Sequence, residues 1–231
     1  MRMRKKPNLL PRLEACAGLL VSDPTEHRGR WRELMPGARE VRVELGCGKG
    51  RFTAGTARNE PDVLFLAIER VPDAMVIAAE RCREAGLTNV FFMDADAAEL
   101  ERFFAPEEVD RVYINFCDPW PESRHAKRRL THPDFLRRDR RVMGEGGEIH
   151  FKTDNRNLFE WSLFQFPKVG FALTEVTRDL HADGPNGVMT DYEEKFYGQG
   201  MPIHRCVAVA GAMPAEPGPV GEGETRESGT P

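Results

Sequence analysis

The chain has 231 residues, of which 40% are hydrophobic and 30% are charged, and its formal net charge is −4 at pH 7. This length predicts one folded domain with terminal extensions, and the short, interrupted apolar runs argue against a membrane-spanning helix. Five scattered cysteines without a C-x-x-C pair indicate neither a disulfide framework nor a metal site. We therefore expect a cytoplasmic globular protein.

The first 38 residues predict an extension that precedes the domain. Four of the first six residues are Lys or Arg, and Pro11, Arg12 and Glu14 interrupt the apolar stretch that a secretory signal would require. We interpret the start as a basic arm, followed by a helix over residues 8–21.

Strand and helix patterns alternate five times along the central part of the chain. Short apolar or alternating segments predict strands at 41–45, 63–68, 89–93, 109–116 and 148–152. Helical patterns follow them at 52–58, 72–85, 97–103, 133–143 and 155–166. This alternation predicts an α/β fold with a doubly wound, mostly parallel sheet, because parallel strands require crossover connections.

The C-terminal part of the chain departs from this alternation. Residues 169–177 and 202–210 both predict strands, and we expect no helix between them, so that they form an antiparallel pair at the sheet edge. The segment 211–231 contains five Gly and four Pro and has almost nothing to bury. We expect a disordered acidic tail after a domain that spans residues 39–210.

A glycine-rich segment joins the first strand to the first helix. Its sequence, Glu44-Leu45-Gly46-Cys47-Gly48-Lys49-Gly50, lets the backbone approach a ligand closely and places free N–H groups beside it. A dinucleotide loop would require G-x-G-x-x-G, but the last position of that pattern holds Arg51 or Thr53 here. The E-x-G-x-G-x-G pattern instead resembles the first motif of S-adenosylmethionine-dependent methyltransferases. A tight structural turn is the alternative.

Three acidic residues near strand ends match the groups of such a cofactor. Glu69 follows the second strand, where a carboxylate binds ribose hydroxyls in this topology. Asp96 follows the third strand and offers an acceptor to the adenine amine, while Glu44 would favour the cationic end of the cofactor. The structural alternatives are an ion pair with Arg70 or Arg81 for Glu69, and a helix N-cap for Asp96.

The most informative segment follows the fourth strand. It consists of Asn115-Phe116-Cys117-Asp118-Pro119-Trp120-Pro121 and then a cationic run that ends at Leu130. An acid on a proline-fixed turn beside an aromatic predicts a pocket for a nucleic acid base, and the cations predict a phosphate-binding rim. Asp118 would accept hydrogen bonds from guanine N1–H and the N2 amine, and would favour a purine ring that becomes positive. An ordinary Asp-Pro turn is the alternative.

The segment from Asn115 to Leu130 resembles the signature of bacterial tRNA (guanine-N7)-methyltransferases, and the similarity extends from about Val41 to Phe196. Two further motifs match: Phe151-Lys152-Thr153-Asp154-Asn155 and Thr190-Asp191-Tyr192-Glu193-Glu194-Lys195-Phe196. The resemblance implies a Rossmann-like class I fold that transfers a methyl group from S-adenosylmethionine to N7 of guanine(46), in the tRNA variable loop. We expect no membrane or metal partner, and a monomer or a homodimer.

Motifs and resemblance together assign the candidate site. Asp118 is the expected catalytic residue. Cofactor contacts are expected at Glu44, Gly46, Gly48, Gly50, Glu69, Asp96 and Asp118. Substrate contacts are expected at Glu122, Asp154, Thr190, Tyr192 and Glu193, and RNA-backbone contacts at Arg124, Lys127, Arg128 and Arg129. The family usually carries lysine at position 122, so that Glu122 reverses the charge there. A helix N-cap is the alternative for Asp154, and a solvated helix face for the cationic run.

Two other functions are compatible with this pattern. One is a methyltransferase that acts on an exocyclic amine of a nucleic acid or protein, since related sites hold an acid or amide before prolines and an aromatic. The other is a non-catalytic RNA-binding protein with the same fold. The four intact acids Glu44, Glu69, Asp96 and Asp118 favour an enzyme over this second alternative.

Overall fold

The structure, a computed structural model, describes residues 6–212, and its core is one seven-stranded sheet. The strands are β1 (Glu40–Leu45), β2 (Val63–Ile68), β3 (Val90–Met93), β4 (Val109–Asn115), β5 (Met143–Thr153), β6 (Phe171–Thr177) and β7 (His204–Ala210). The helices are α1 (Leu9–Glu14), α2 (Arg51–Asn59), α3 (Pro72–Glu84), α4 (Leu100–Phe103), α5 (Pro133–Val142), α6 (Arg156–Leu163) and α7 (Asp191–Tyr197).

The strand order is β3-β2-β1-β4-β5-β7-β6. Strands β1 to β5 are parallel, and β7 is antiparallel to both of its neighbours. The parallel strands therefore end together at one side of the sheet, which we call the carboxyl edge. The strand order reverses between β1 and β4, where α/β sheets open a ligand crevice. This topology confirms the predicted doubly wound sheet with an antiparallel pair at its edge.

Two apolar layers enclose the sheet, one on each face. Phe52 of α2 and Met75 of α3 belong to the layer on one face, and Leu100 of α4 and Phe159 of α6 belong to the layer on the other. All six residues of β2 are buried, because helices cover both faces of the sheet. Since helices cover both faces, we expect a ligand to bind at the carboxyl edge rather than on a face of the sheet.

Helix α7 lies between β6 and β7, so the expectation of no helix there is wrong. Thr190 Oγ1 accepts a hydrogen bond from the Glu193 backbone N–H at 3.0 Å, and Glu193 Oε2 accepts one from the Thr190 N–H at 3.1 Å. These reciprocal bonds form a capping box, which satisfies two N–H groups at the start of the helix. The Thr-x-x-Glu spacing was present in the sequence and predicts this helix start.

The N-terminal helix is shorter than the predicted 8–21. α1 ends at Glu14, and Leu20 then forms a parallel bridge with Phe92 of edge strand β3, which requires extended backbone. Arg12 also contacts Glu80 of α3 at 2.7 Å. Residues 1–5 of the basic arm and the tail after residue 212 lie outside the described residues. Within residues 6–212, no helix is long and apolar enough to span a bilayer.

Candidate active site

The glycine loop after β1 has an open approach at two of its three glycines. Gly46 and Gly48 have φ angles of 78° and 56°, which favour glycine, and a Cβ at either would meet no atom within 4 Å. A Cβ on Gly50 would lie 2.5 Å from the Ala78 Cβ of α3. Gly46 and Gly48 therefore leave room for a ligand, whereas Gly50 permits the close packing of α2 on α3.

Glu69 braces this loop from the end of β2. Its Oε2 accepts a hydrogen bond from the Gly48 N–H and its Oε1 accepts one from the Val71 N–H, both at 2.9 Å. Arg70, one suggested ion-pair partner of Glu69, instead contacts Asp96 at 3.2 Å. The carboxylate thus lies directly beside the glycine loop, where a ribose contact is expected.

Asp96 caps the turn after β3 and remains partly accessible. Its Oδ1 accepts a hydrogen bond from the Ala98 N–H at 2.9 Å, so the capping alternative is present in the structure. Its side chain is nevertheless 39% exposed. Capping leaves the carboxylate able to accept a further hydrogen bond, and the two roles are compatible.

Glu44 is buried beneath the glycine loop. Its carboxylate accepts hydrogen bonds from the Thr53 hydroxyl and from Asn115 Nδ2, the second at 3.2 Å. Burial raises the pKa of Glu44, while these hydrogen bonds and the charge of Lys152 lower it. Asn115 Oδ1 is buried and has no hydrogen-bond partner among residues 6–212. The region beneath the glycine loop therefore holds one buried acid and one buried acceptor without a partner among the described residues.

The turn that carries Asp118 is partly buried and held in an uncommon backbone conformation. Phe116 and Trp120 have φ angles of 53° and 40°, which bulky residues rarely adopt. Arg129 fixes the turn, because its Nε donates to the Pro119 carbonyl at 3.0 Å and its Nη2 to the Trp120 carbonyl at 2.8 Å. Asp118 itself is exposed at the carboxyl edge.

Helix α7 packs beside this turn. The Phe196 ring lies 6.3 Å from the Phe116 ring and 6.2 Å from the Tyr192 ring, measured between centroids. Tyr192 is 55% exposed. The structure thus brings the Asp118 segment and the Thr190–Phe196 segment together, although they are far apart in the sequence.

Comparison with known proteins identifies the family. Residues 38–206 match the family described as "Putative methyltransferase". The tRNA (guanine-N(7)-)-methyltransferase of Geobacillus kaustophilus (strain HTA426) is 47% identical over 210 residues, which cover 90% of this chain and 97% of that protein. The Bacillus subtilis (strain 168) protein of the same name is 44% identical over 207 residues, which cover 89% and 97%. The chain belongs to the tRNA (guanine-N7)-methyltransferase family. It is a methyltransferase, as the motifs predict.

Solved structures of lower identity share the fold. The 16S rRNA methyltransferase KamB superposes with a TM-score of 0.62 at 15% identity, covering 79% of this chain and 93% of that one. The 16S rRNA (adenine(1408)-N(1))-methyltransferase of Catenulisporales acidiphilia gives a TM-score of 0.59 at 15% identity, with 84% and 96% covered. These similarities place the chain in the Rossmann-like class I methyltransferase fold.

Glu193, in the third family motif, is fully buried rather than open to a substrate. Its carboxylate accepts hydrogen bonds from Lys152 Nζ at 2.6 Å and His181 Nε2 at 3.0 Å, besides the capping bond from Thr190. Its side chain is 0% exposed. Glu193 therefore connects α7 to Lys152 of β5 and to His181, whereas the preceding residue, Tyr192, is exposed to solvent. Sequence reasoning did not single out Lys152 or His181, although Lys152 stands in the second family motif, directly before Thr153 and Asp154.

Asp154, in the second family motif, does not cap the helix that follows it. The cap of α6 is Asn155, whose Oδ1 accepts a hydrogen bond from the Leu158 N–H at 2.8 Å. Among residues 6–212, the Asp154 carboxylate has no hydrogen-bond partner, and its residue is partly exposed at the end of β5. The helix-cap alternative is therefore wrong for Asp154, and a substrate contact stays a prediction.

The four cations of the predicted phosphate rim differ in their surroundings. Arg129 is 9% exposed, and its guanidinium lies 4.4 Å from the Trp161 ring while it binds the turn carbonyls. Arg128 stacks over the Trp120 ring at 3.6 Å but remains exposed. Arg129 thus departs from the expected phosphate contact, because its donors are used to hold the turn.

The two remaining cations of the rim, Arg124 and Lys127, differ in whether an acid pairs with them. Arg124 forms an ion pair with Glu122, and both side chains are more than half exposed. Lys127 is exposed and has no ion-pair partner among the described residues. The accessible positive charge is therefore concentrated on Lys127 and Arg128. No group of three or more His, Cys, Asp or Glu within residues 6–212 could hold a metal ion.

Proposed function

We propose that this protein transfers the methyl group of S-adenosylmethionine to N7 of guanine(46), in the variable loop of tRNA. The observation that carries the proposal is the contact of Phe116 with Phe196, which sets the Asp118 turn beside the exposed Tyr192 of α7. This arrangement forms an acidic and aromatic surface at the carboxyl edge, next to the glycine loop. The 44–47% identical relatives described above are named tRNA (guanine-N(7)-)-methyltransferases, which supports tRNA as the substrate and N7 of guanine as the target.

The residues at the glycine loop fit the cofactor. The space above Gly46 and Gly48 admits a ligand, and Glu69 and Asp96 offer carboxylates to ribose hydroxyls and an adenine amine. The unused Asn115 Oδ1 and the Glu44 carboxylate suit a cationic N–H donor such as an amino acid ammonium group. When bound, S-adenosylmethionine supplies a methyl group on a positive sulfur.

Methyl transfer to guanine N7 requires no proton transfer by a side chain of the protein. Guanine N7 carries a lone pair and no proton, so its attack on a methyl group requires no general base. Asp118 accepts hydrogen bonds from guanine N1–H and the N2 amine, and its charge favours the positive purine ring as it forms. Tyr192 offers an aromatic face on which a base removed from its stack can lie. Positioning and electrostatics are then the main contributions to the rate.

Two further properties follow from this function. Because free tRNA is the substrate, we infer that the protein acts in the cytoplasm. The oligomeric state, monomer or homodimer, stays a prediction. A sedimentation velocity measurement at two protein concentrations separates the two states.

Nucleoside mass spectrometry tests the proposed function. The purified protein is incubated with S-adenosylmethionine and a tRNA transcript, and the matched control transcript carries adenine in place of the variable-loop guanine. We expect N7-methylguanosine from the first transcript and none from the second. Methylation at N2 or N6 would instead support an exocyclic amine methyltransferase. RNA binding without any methyl transfer would support a non-catalytic protein.

A further inference from the structure

A buried charge network lies behind the active site and joins β5 to α7. Lys152, Glu193 and His181 have side chains that are 8%, 0% and 2% exposed. Lys152 Nζ donates to Glu193 Oε2 at 2.6 Å, and His181 Nε2 lies 3.0 Å from Glu193 Oε1. Each oxygen of the Glu193 carboxylate therefore has a partner inside the protein.

The hydrogen bonds define the charges in this network. His181 Nδ1 accepts from the Asn186 backbone N–H at 3.1 Å, so the ring proton is on Nε2 and is donated to Glu193. The imidazole is then neutral, and Lys152 supplies the positive charge that compensates Glu193. Lys152 also donates to the Val188 carbonyl at 3.2 Å, which fixes the loop that leads into α7.

The same lysine borders the cofactor side of the site. Lys152 pairs in register with Asn115 of β4, whose Nδ2 donates to Glu44 at 3.2 Å. Its Nζ lies 4.9 Å from the ring centroid of Phe52, the residue before the Thr53 that binds Glu44. Burial lowers the pKa of Lys152, and the charges of Glu193 and Glu44 oppose that shift. One buried cation thus contacts Glu193 of α7 directly and is influenced by the charge of Glu44 beneath the glycine loop.

We propose that Lys152 is a positioning residue, which sets the target helix α7 at a fixed place relative to the cofactor pocket. This inference rests on the proposed function, because α7 carries Tyr192 and packs beside the Asp118 turn. Lys152 is buried and acts through Glu193 and the Val188 carbonyl rather than on the substrate. A displacement of about 1 Å at a reacting group lowers rates by roughly 100-fold, so this support bears on the rate of transfer.

Three variants and one control test the role. Lys152→Met keeps an unbranched side chain that is one atom shorter and removes its charge. Glu193→Gln places an N–H₂ group against a donor, because its neighbours Lys152, His181 and Thr190 all donate to it. The double variant combines both changes. The control, Arg81→Met, removes a cation that also contacts α7, through Asp191 at 3.2 Å, but whose side chain is 35% exposed.

The readouts are the single-turnover rate at saturating substrates, the affinity for S-adenosylhomocysteine by calorimetry, and the melting temperature. For Lys152→Met we expect a rate lower by roughly 10- to 100-fold, with cofactor affinity within about threefold of wild type. The double variant should be no slower than the slower single variant, because the two residues act as one unit. Arg81→Met should stay within about threefold of wild type in both quantities.

Different results would overturn the positioning role of Lys152 and the proposed function. A folded Lys152→Met protein with a rate within threefold of wild type overturns the positioning role, as does a double variant whose loss is the product of the two single losses. If Lys152→Met does not fold, Glu193→Gln decides, and a normal rate for that variant overturns the role. A wild-type protein that forms no N7-methylguanosine overturns the proposed function instead.

Discussion

The guanidinium of Arg129 donates two hydrogen bonds to the backbone carbonyl of Trp120, from Nη2 at 2.8 Å and from Nε at 3.2 Å. Arg129→Met removes both and leaves partly buried carbonyls unpaired, which should lower the free energy of unfolding by roughly 2 kcal/mol. We expect methyl transfer to fall as the Asp118 turn loosens, while the salt dependence of tRNA binding is unchanged. Urea unfolding and filter binding at several salt concentrations check this. A shallower salt dependence would show that Arg129 contacts phosphate.

Lys127, unlike Arg129, should contribute to the salt dependence of tRNA binding. It is exposed beside the turn, so Lys127→Met should weaken tRNA binding and reduce the slope of log K against log salt concentration by roughly one. Stability and cofactor affinity should not change. The matched control is Lys168→Met, an exposed lysine in the turn after α6, for which we expect an unaltered slope. Equal slopes for the two variants would remove Lys127 from the phosphate rim.

Asp118 supplies the test of the base-binding role. Asp118→Ala removes an exposed carboxylate, so the fold should be preserved. Loss of the guanine contact should lower the single-turnover rate by roughly 100- to 1,000-fold. Asp62→Ala, an exposed acid just before β2, is the control and should retain its rate. Near-normal turnover of Asp118→Ala would mean that another group holds the base.

Glu122 opposes the charge of the rim that it borders. Its carboxylate pairs with Arg124 and neutralises that guanidinium. Glu122→Lys removes this acid, adds a cation and frees Arg124, so tRNA binding should tighten and its salt dependence should become steeper. Gel-shift titrations at low and high salt measure both effects. An unchanged affinity would indicate that this part of the turn points away from RNA.

Asp139 should make the stability of the fold depend on pH. Its carboxylate is buried in α5 without a hydrogen-bond partner among residues 6–212, and burial raises its pKa to about 8 from 3.8. The folded protein then binds a proton that the unfolded chain has lost, so stability decreases as pH rises from about 4 to about 8, by at most about 1.4 kcal/mol per unit.

Asp139→Asn should remove this contribution. The variant should gain stability relative to wild type as the pH is raised from 5 to 8, as measured by urea unfolding. Asp134→Asn changes a half-exposed acid on the same helix and should show no such trend. A constant difference between Asp139→Asn and wild type over this range would contradict a protonated Asp139.

Local patterns were sufficient for the parallel part of the sheet. The alternation of strands and helices and the glycine cluster after β1 depend on residues close in sequence, so they could be recognised there. The spacing of Thr190 and Glu193 indicates the capping box that starts α7, but the expectation of two adjacent strands leaves no place for a helix there. Residues 8–21 do not form one helix, because Leu20 pairs with β3. Local sequence patterns do not indicate this contact, since its two residues are far apart in the chain.

Strand ends and motifs are local properties, so the family, the fold class and the residues that reach the carboxyl edge can be predicted from the amino-acid sequence. The roles of individual charged residues depend instead on how distant segments pack together. Glu193 and Arg129 are both in family motifs, yet packing buries them and uses their polar atoms to hold α7 and the Asp118 turn. Burial and the choice of partner depend on segments distant in the chain, so the same residue types can contact a ligand or support the residues that do.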